Sequence, residues 1–255
     1  MRLDSILTAL SQLELSHKSM NELTTEIGTW FLNTPYVEKT LEVEGEEKLV
    51  INLTGLDCTT YLETVVTLAR LAKQNEYSFE DYEKELEFLR YRDGTLDEYP
   101  SRLHYFSDWI YTNEKKGIIE DITHQIGGEI YENHPSFMSE NPGFYPQLAN
   151  PLYVNQLKET EEELKERTYY YLPKERLESY EHNIKSGDII AITISLDNLD
   201  ISHVGFAFEQ NGRIHLLHAS STSKKVVISE KPLADYLMAH KSQSGVMVCR
   251  LINPD

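Results

Sequence analysis

The feature that most constrains the fold is a change of period along the chain. Residues 188–194, 204–208, 214–218, 225–228 and 246–251 are short runs rich in Ile, Val and Phe, parted by turn residues. Such runs read as strands. Asn211-Gly212 stands between the second and third, and Asn-Gly is a strong signal for a tight hairpin. A helix over 231–240 interrupts the last pair. Upstream the period is helical. Residues 3–13 and 20–32 are amphipathic, the second opened by Ser19 with Glu22 three residues on and closed by Asn33-Thr34-Pro35. From Cys58 to Lys73, the apolar positions Leu62, Val65, Val66, Ala69 and Leu71 share one helix face, and another helix is expected near 79–90. An extended stretch, 48–53, leads into the Cys58 turn. These patterns predict an α+β fold, with the Cys58 helix packed on a mostly antiparallel sheet.

Residues 91–180 hold most of the tyrosines, several prolines and isolated helical patches such as 156–167. No repeat or low-complexity linker marks a border, so a single enlarged domain is expected. Its parts are 1–73 with the N-terminal helices and the Cys58 helix, 74–180 as a large inserted helical and loop region, and 181–255 as the sheet. An insertion of that length is expected to shape the rim of a cleft.

Charge narrows the partners. Acids outnumber bases 42 to 24, a formal net charge of -18, a field that repels nucleic acid and anionic lipid. An anionic small substrate met by a local arginine remains compatible with it. With only Cys58 and Cys249, no disulfide framework is indicated. No apolar run is long enough for membrane insertion, and Asp4 interrupts the only apolar stretch at the N-terminus, unlike a secretory signal. The expectation is a cytoplasmic monomer, or a protein of the periplasm or cell envelope if a signal was removed.

Cys58 sits where a loop turns into a helix, flanked by Asp57 and Thr59, and the apolar face begins only at Leu62. Backbone N–H groups and the helix dipole at such a position favour thiolate. Free cysteines are more often small buried hydrophobes, and Cys249, inside a strand pattern, is read that way. His203 begins one strand and His218 lies one hairpin away. Antiparallel pairing about Asn211-Gly212 places 203 opposite 219 or 220. The two imidazoles then lie close enough for one to hold the other in a single tautomer. His215 points to the other side and is expected at the surface. Arg102 and His104 alternate along an extended segment. The arginine there would clamp a peptide carboxylate or make an ordinary surface ion pair. Tyr105 and Trp109 offer faces for a sugar ring, although core packing is the commoner use, and Tyr169-Tyr170-Tyr171 is read as packing. No His-Glu-x-x-His run, paired zinc-spaced cysteines or glycine-rich phosphate loop occurs, so neither metal nor cofactor is expected.

Leu56-Asp57-Cys58-Thr59-Thr60, Gly187-Asp188-Ile189-Ile190, His203-Val204-Gly205 and His218-Ala219-Ser220-Ser221, in that order, resemble the papain-like NlpC-type cell-wall hydrolases. More specifically the chain resembles their N-acetylmuramoyl-L-alanine amidase-like branch, through segments that include 101–106 and 171–174. The resemblance implies a papain-like cysteine hydrolase core with Cys58 as nucleophile, His203 as base and His218 as the orienting third member. Thr34-Pro35-Tyr36 resembles the Pro-Tyr pair of those enzymes, which implies that Tyr36 helps hold the oxyanion beside the nucleophile's N–H. The glycine pair usual after that tyrosine is missing, and the gap from Cys58 to His203 is wider than in compact members. The implied substrate is a peptidoglycan fragment or muropeptide, cut between the muramyl lactyl group and L-alanine. Cleavage between peptide residues, transfer of the acyl group to another acceptor, and a catalytically silent module that binds cell-wall fragments or a partner protein are the alternatives.

Overall fold

In a computed structural model describing residues 3–13 and 15–254, the helices are α1 (Leu3–Leu13), α2 (Met20–Trp30), α3 (Cys58–Gln74), α4 (Phe79–Arg90), α5 (Phe106–Lys115), α6 (Phe137–Glu140), α7 (Pro151–Lys165), α8 (Lys174–Tyr180) and α9 (Leu233–Met238). The strands are β1 (Ile119–Asp121), β2 (Glu129–Tyr131), β3 (Tyr169–Pro173), β4 (Ile189–Ile194), β5 (Ile201–Gln210), β6 (Arg213–Ser220), β7 (Lys225–Ile228) and β8 (Gln243–Leu251). They form one antiparallel sheet in the order β2-β3-β8-β4-β5-β6-β7, with β1 also on β8.

Side-chain alternation along the central strands builds a core on each face. Ile189, Ala191, Met247, Cys249 and Leu217 pack with Tyr61, Leu62, Val65 and the N-terminal helices. Ile190, Ile192, Val246, Val248 and Leu216 pack with Leu177 of α8 and Leu233 and Leu237 of α9. The Ser19 capping box is present, and Asp57 and Ser78 form two more at the starts of α3 and α4.

Differences from the sequence expectation have physical causes. Segment 48–53 is extended but joins no ladder. Its carbonyls serve side chains instead: Val50 O accepts from Arg90 Nη1 at 2.8 Å and Lys48 O from the Tyr91 hydroxyl at 3.4 Å. Helix α7 starts at Pro151, where Asn150 caps it by accepting from Leu152 N. The region 91–180 contributes β1, β2 and β3 to the common sheet. His215 is buried, against the surface expectation. The chain after β7 folds back over it, so that Nδ1 lies 2.8 Å from Ser229 O while Leu216 N donates to Ser229 Oγ at 3.0 Å.

Candidate active site

Helix α3 enters the sheet face with its N-terminus fixed. Asp57 Oδ1 accepts from Thr60 N and Thr60 Oγ1, both at 2.8 Å, and Asp57 N donates to Thr60 Oγ1 at 2.9 Å. Tyr61, one turn in, donates to Gly28 O at 3.0 Å and sets its ring edge-on to Phe31 and Phe206. These contacts tie α3 to α2 and β5 and leave Cys58, the first helical residue, partly exposed at a cavity of about 160 Å³. Hydrogen bonds from Val204 N–H and from Thr59 reach the sulfur, but burial and the Asp57 carboxylate outweigh them and push the thiol up to about 11. Burial and Asp57 thus work against the thiolate that the helix start was expected to favour.

His203 pairs with Ile192 of β4, and it lies three residues beyond the end of the β5–β6 ladder, which runs from Gln210 with Arg213 to Phe206 with Leu217. His203 Nε2 lies 2.6 Å from His218 Nδ1, with the rings edge to face at 4.8 Å. Gly205 makes this possible. A Cβ there would stand 2.9 Å from His218 Cβ and 2.8 Å from Leu217 O, closer than packed atoms tolerate. Tyr236 backs His218 edge-on at 5.9 Å. Burial lowers His203 to about 4, helped by His240, and lowers His218 to about 3, helped by His203. Both imidazoles rest neutral.

Tyr36 reaches the same place on a strap between β7 and the Cys58 turn. Its N–H donates to Lys224 O at 2.9 Å, Leu56 N donates to Pro35 O at 3.0 Å, and Val37 N to Leu56 O at 3.1 Å. Burial, then the proximity of Cys58 and Asp57, push its phenol up to about 12. It therefore keeps its proton at neutral pH and lies near enough for the sulfur's charge to act on it, although it does not line the cavity.

The cavity is lined by Cys58, His203, His104, Tyr105 and Asp200, with apolar walls from Leu103, Phe137 and Met138 among others. His104 packs against Tyr99 with the rings tilted by 45° and centroids 4.3 Å apart, and its Nε2 is 2.8 Å from Tyr99 O. Burial and the nearby Arg102 charge hold it well below the usual histidine value. Tyr105 offers only its ring: its hydroxyl donates to Glu161 Oε1 at 2.7 Å and accepts from Met138 N at 3.0 Å. Arg102 does not line this cavity. Its guanidinium is buried one layer behind, over the Tyr99 ring at 4.9 Å, bonded to Glu42 at 2.6 Å and Leu41 O at 3.0 Å, with Glu47 at 3.5 Å. It holds Tyr99 and with it His104, in place of the expected carboxylate clamp. Trp109 is a core residue stacked on Phe106 at 4.8 Å.

Sequence reasoning missed Asp200, Phe137, Met138 and Tyr145. Asp200 closes the cavity by accepting from Ser107 N at 2.7 Å, near the start of α5, and burial raises its carboxyl. Asp200 immediately precedes β5, and nothing in its own neighbours marks it, because its partner lies on α5.

A family model described as AmiA-like, N-acetylmuramoyl-L-alanine amidase-like, matches residues 26–246, a span that includes every residue of this site. The chain belongs to the AmiA-like family. That family membership makes it an amidase-like cell-wall hydrolase. Among solved structures, an N-acetylmuramoyl-L-alanine amidase from Bacteroides uniformis is 39% identical with a TM-score of 0.87, covering 91% of this chain and 98% of its own. A putative xylanase from Bacteroides fragilis is 40% identical at TM-score 0.84, over 89% of this chain and 99% of its own. A Legionella pneumophila protein at 24% identity and TM-score 0.70, over 97% of this chain and 95% of its own, shares the fold. No curated protein matches the chain in sequence. Among the described residues of this AmiA-like chain, no helix is long and apolar enough to cross a membrane.

Proposed function

We propose that the protein is a cysteine-dependent amidase of the NlpC-type, papain-like kind that hydrolyses the N-acetylmuramoyl-L-alanine bond of peptidoglycan or muropeptides. The observation that carries this reading is the convergence at one cavity of Cys58 and His203, with His203 hydrogen-bonded at 2.6 Å to His218. With His203 Nε2–H donating to His218 Nδ1, the His203 Nδ1 lone pair is free to take the thiol proton. The sulfur then attacks the lactyl carbonyl. Negative charge develops on its oxygen, for which the Tyr36 hydroxyl and the unpaired Cys58 N–H at the helix start are the donors. Proton transfer makes thiolate and imidazolium together, and each supplies the counter-charge that the other's burial otherwise lacks. The C–N bond breaks as imidazolium gives its proton to the leaving amine, which leaves a thioester on Cys58. Water, deprotonated by His203, hydrolyses that ester, releases the muramic acid carboxyl and restores the thiol.

The glycosidase name carried by the Bacteroides fragilis neighbour fits this cavity less well. Most glycosidases use a pair of carboxyl groups flanking the scissile bond, and Asp200 is the single carboxylate among the residues lining the cavity. The decisive experiment incubates purified protein with N-acetylmuramoyl-L-alanine peptides and identifies products by mass. Free peptide and N-acetylmuramic acid are expected, and Cys58→Ala should lower turnover by about 10⁴-fold or more, as loss of a nucleophile does elsewhere. Cleavage within the peptide stem would move the reading to an endopeptidase; binding without turnover would move it to a cell-wall-fragment module.

A further inference from the structure

The cavity beside Cys58 has an unusual polar inventory for a site in so acidic a chain. No lysine or arginine lines it, so nothing there matches a carboxylate or phosphate. Several of its hydrogen-bonding groups are already spent. The Tyr105 hydroxyl is used in both directions, Ser202 Oγ donates to Ile192 O at 3.1 Å, and Asp200 Oδ2 is taken by Ser107 N at 2.7 Å.

His104 is not spent in this way, and its chemistry is fixed by what it touches. A carbonyl oxygen can only accept, so Nε2, at 2.8 Å from Tyr99 O, carries the proton. The neutral ring then has its lone pair on Nδ1, which has no protein partner among the described residues. Burial, and then the charge of Arg102 packed over Tyr99 behind the wall, oppose protonation of the ring and keep that lone pair in place. The surrounding walls, Leu103, Phe106, Phe137, Met138, Leu199 and Ile201, are apolar. A group that combines one hydrogen-bond donor with a small apolar end satisfies both conditions.

We infer that His104 is a specificity-determining residue whose Nδ1 accepts the N–H of the substrate's acetamido group, with the acetyl methyl against the apolar walls. The identity of that ligand rests on the amidase reading, since the muramyl sugar carries its acetamido group on the carbon next to the lactyl arm. The site selects by a donor it must find, and a buried acceptor left unpaired is costly. Sites built to hydrogen-bond a substrate N–H or O–H reject analogues that lack it strongly.

The test uses Cys58→Ala protein, so that it needs no turnover, and measures binding by calorimetry. One ligand is N-acetylmuramoyl-L-alanine; the other is its ester isostere, with oxygen in place of the acetamido N–H. The acetamide should bind at least tenfold tighter than the ester. His104→Gln keeps a donor for Tyr99 O but places no acceptor where Nδ1 was, and should bring the two affinities within twofold. His104→Asn places an oxygen near the Nδ1 position and should retain the preference. A purely structural role for His104 would lower both affinities together and leave their ratio unchanged. That result, or equal binding by the parent protein, overturns the inference while leaving the amidase reading intact if the wild type still cleaves. Discrimination by the binding assay with no cleavage by the wild type would instead remove the amidase reading and keep the donor-selecting pocket.

Discussion

The chain's two thiols show how little a cysteine's own chemistry decides. Cys58 and Cys249 are both free, and burial raises the pKa of both. Cys249 lies near the C-terminal end of β8, fully buried between β1 and β4, where Asp121, Glu114 and Asp188 push it further up. Its surroundings supply apolar contacts and negative charge, neither of which helps a thiolate form or gives it anything to attack. Cys58 starts a helix, borders a cavity, receives hydrogen bonds from Val204 and Thr59, and shares that cavity with an imidazole held by another. Access, donors and a base separate the two sites. Resting acidity does not.

The sharpest way to break this comparison is alkylation against pH. Cys249 should resist iodoacetamide in the folded protein, whereas Cys58 should react at a rate that rises tenfold per pH unit from neutrality toward its value of about 11. A plateau in Cys58 labelling below pH 6, read by peptide mass mapping, would instead reveal a preformed thiolate–imidazolium pair. A smaller effect is expected from Gly205→Ala. The added methyl meets His218 Cβ at 2.9 Å, and displacing the orienting imidazole by a fraction of an ångström to an ångström should cost turnover about 10²-fold. Cys58 labelling should stay close to wild type, because the variant touches the base and not the access. Equal loss of both would show that the β5–β6 hairpin had unfolded locally.

The contrast also marks what could be read in advance. The His203–His218 contact was legible because a tight Asn211-Gly212 turn sets a local register, and a register once set carries along the strand. The start of α3 was legible because Asp57 and Thr60 form their cap within four residues. What escaped depends on partners far along the chain. Arg102 reads as a ligand clamp until Glu42 and Glu47, more than fifty residues upstream, claim its guanidinium. His215 reads as exposed until the segment after β7 covers it. β1 and β2 are three residues each, too short to show an alternation, and they exist because β8 and β3 offer free edges. Asp200 has no local signature at all, since its function in the wall comes from α5, over ninety residues earlier.

Acid should expose the same difference between these two regions of the sheet, with opposite signs. His203 and His218 are held at about 4 and about 3 in the folded protein, against an ordinary 6.5. Below pH 6.5 the unfolded chain takes up protons that the native pair refuses, so their contribution is fully present above that pH and is lost as pH falls toward 4. Each histidine adds a slope of up to about 1.4 kcal/mol per pH unit in that window. Asp121, near Cys249, behaves the other way: burial raises its pKa from 3.8. The native state binds its proton first, and stability from this group rises as pH falls through the raised value. Urea unfolding of the wild type and of a His203→Gln, His218→Gln double variant, compared between pH 7 and 4.5, isolates the histidine part. The double variant should lose less stability over that range, by up to about 5 kcal/mol if both imidazoles stay neutral in the native state. Parallel curves would mean that the pair already carries a proton at neutral pH, and the neutral-base mechanism built on it would fail.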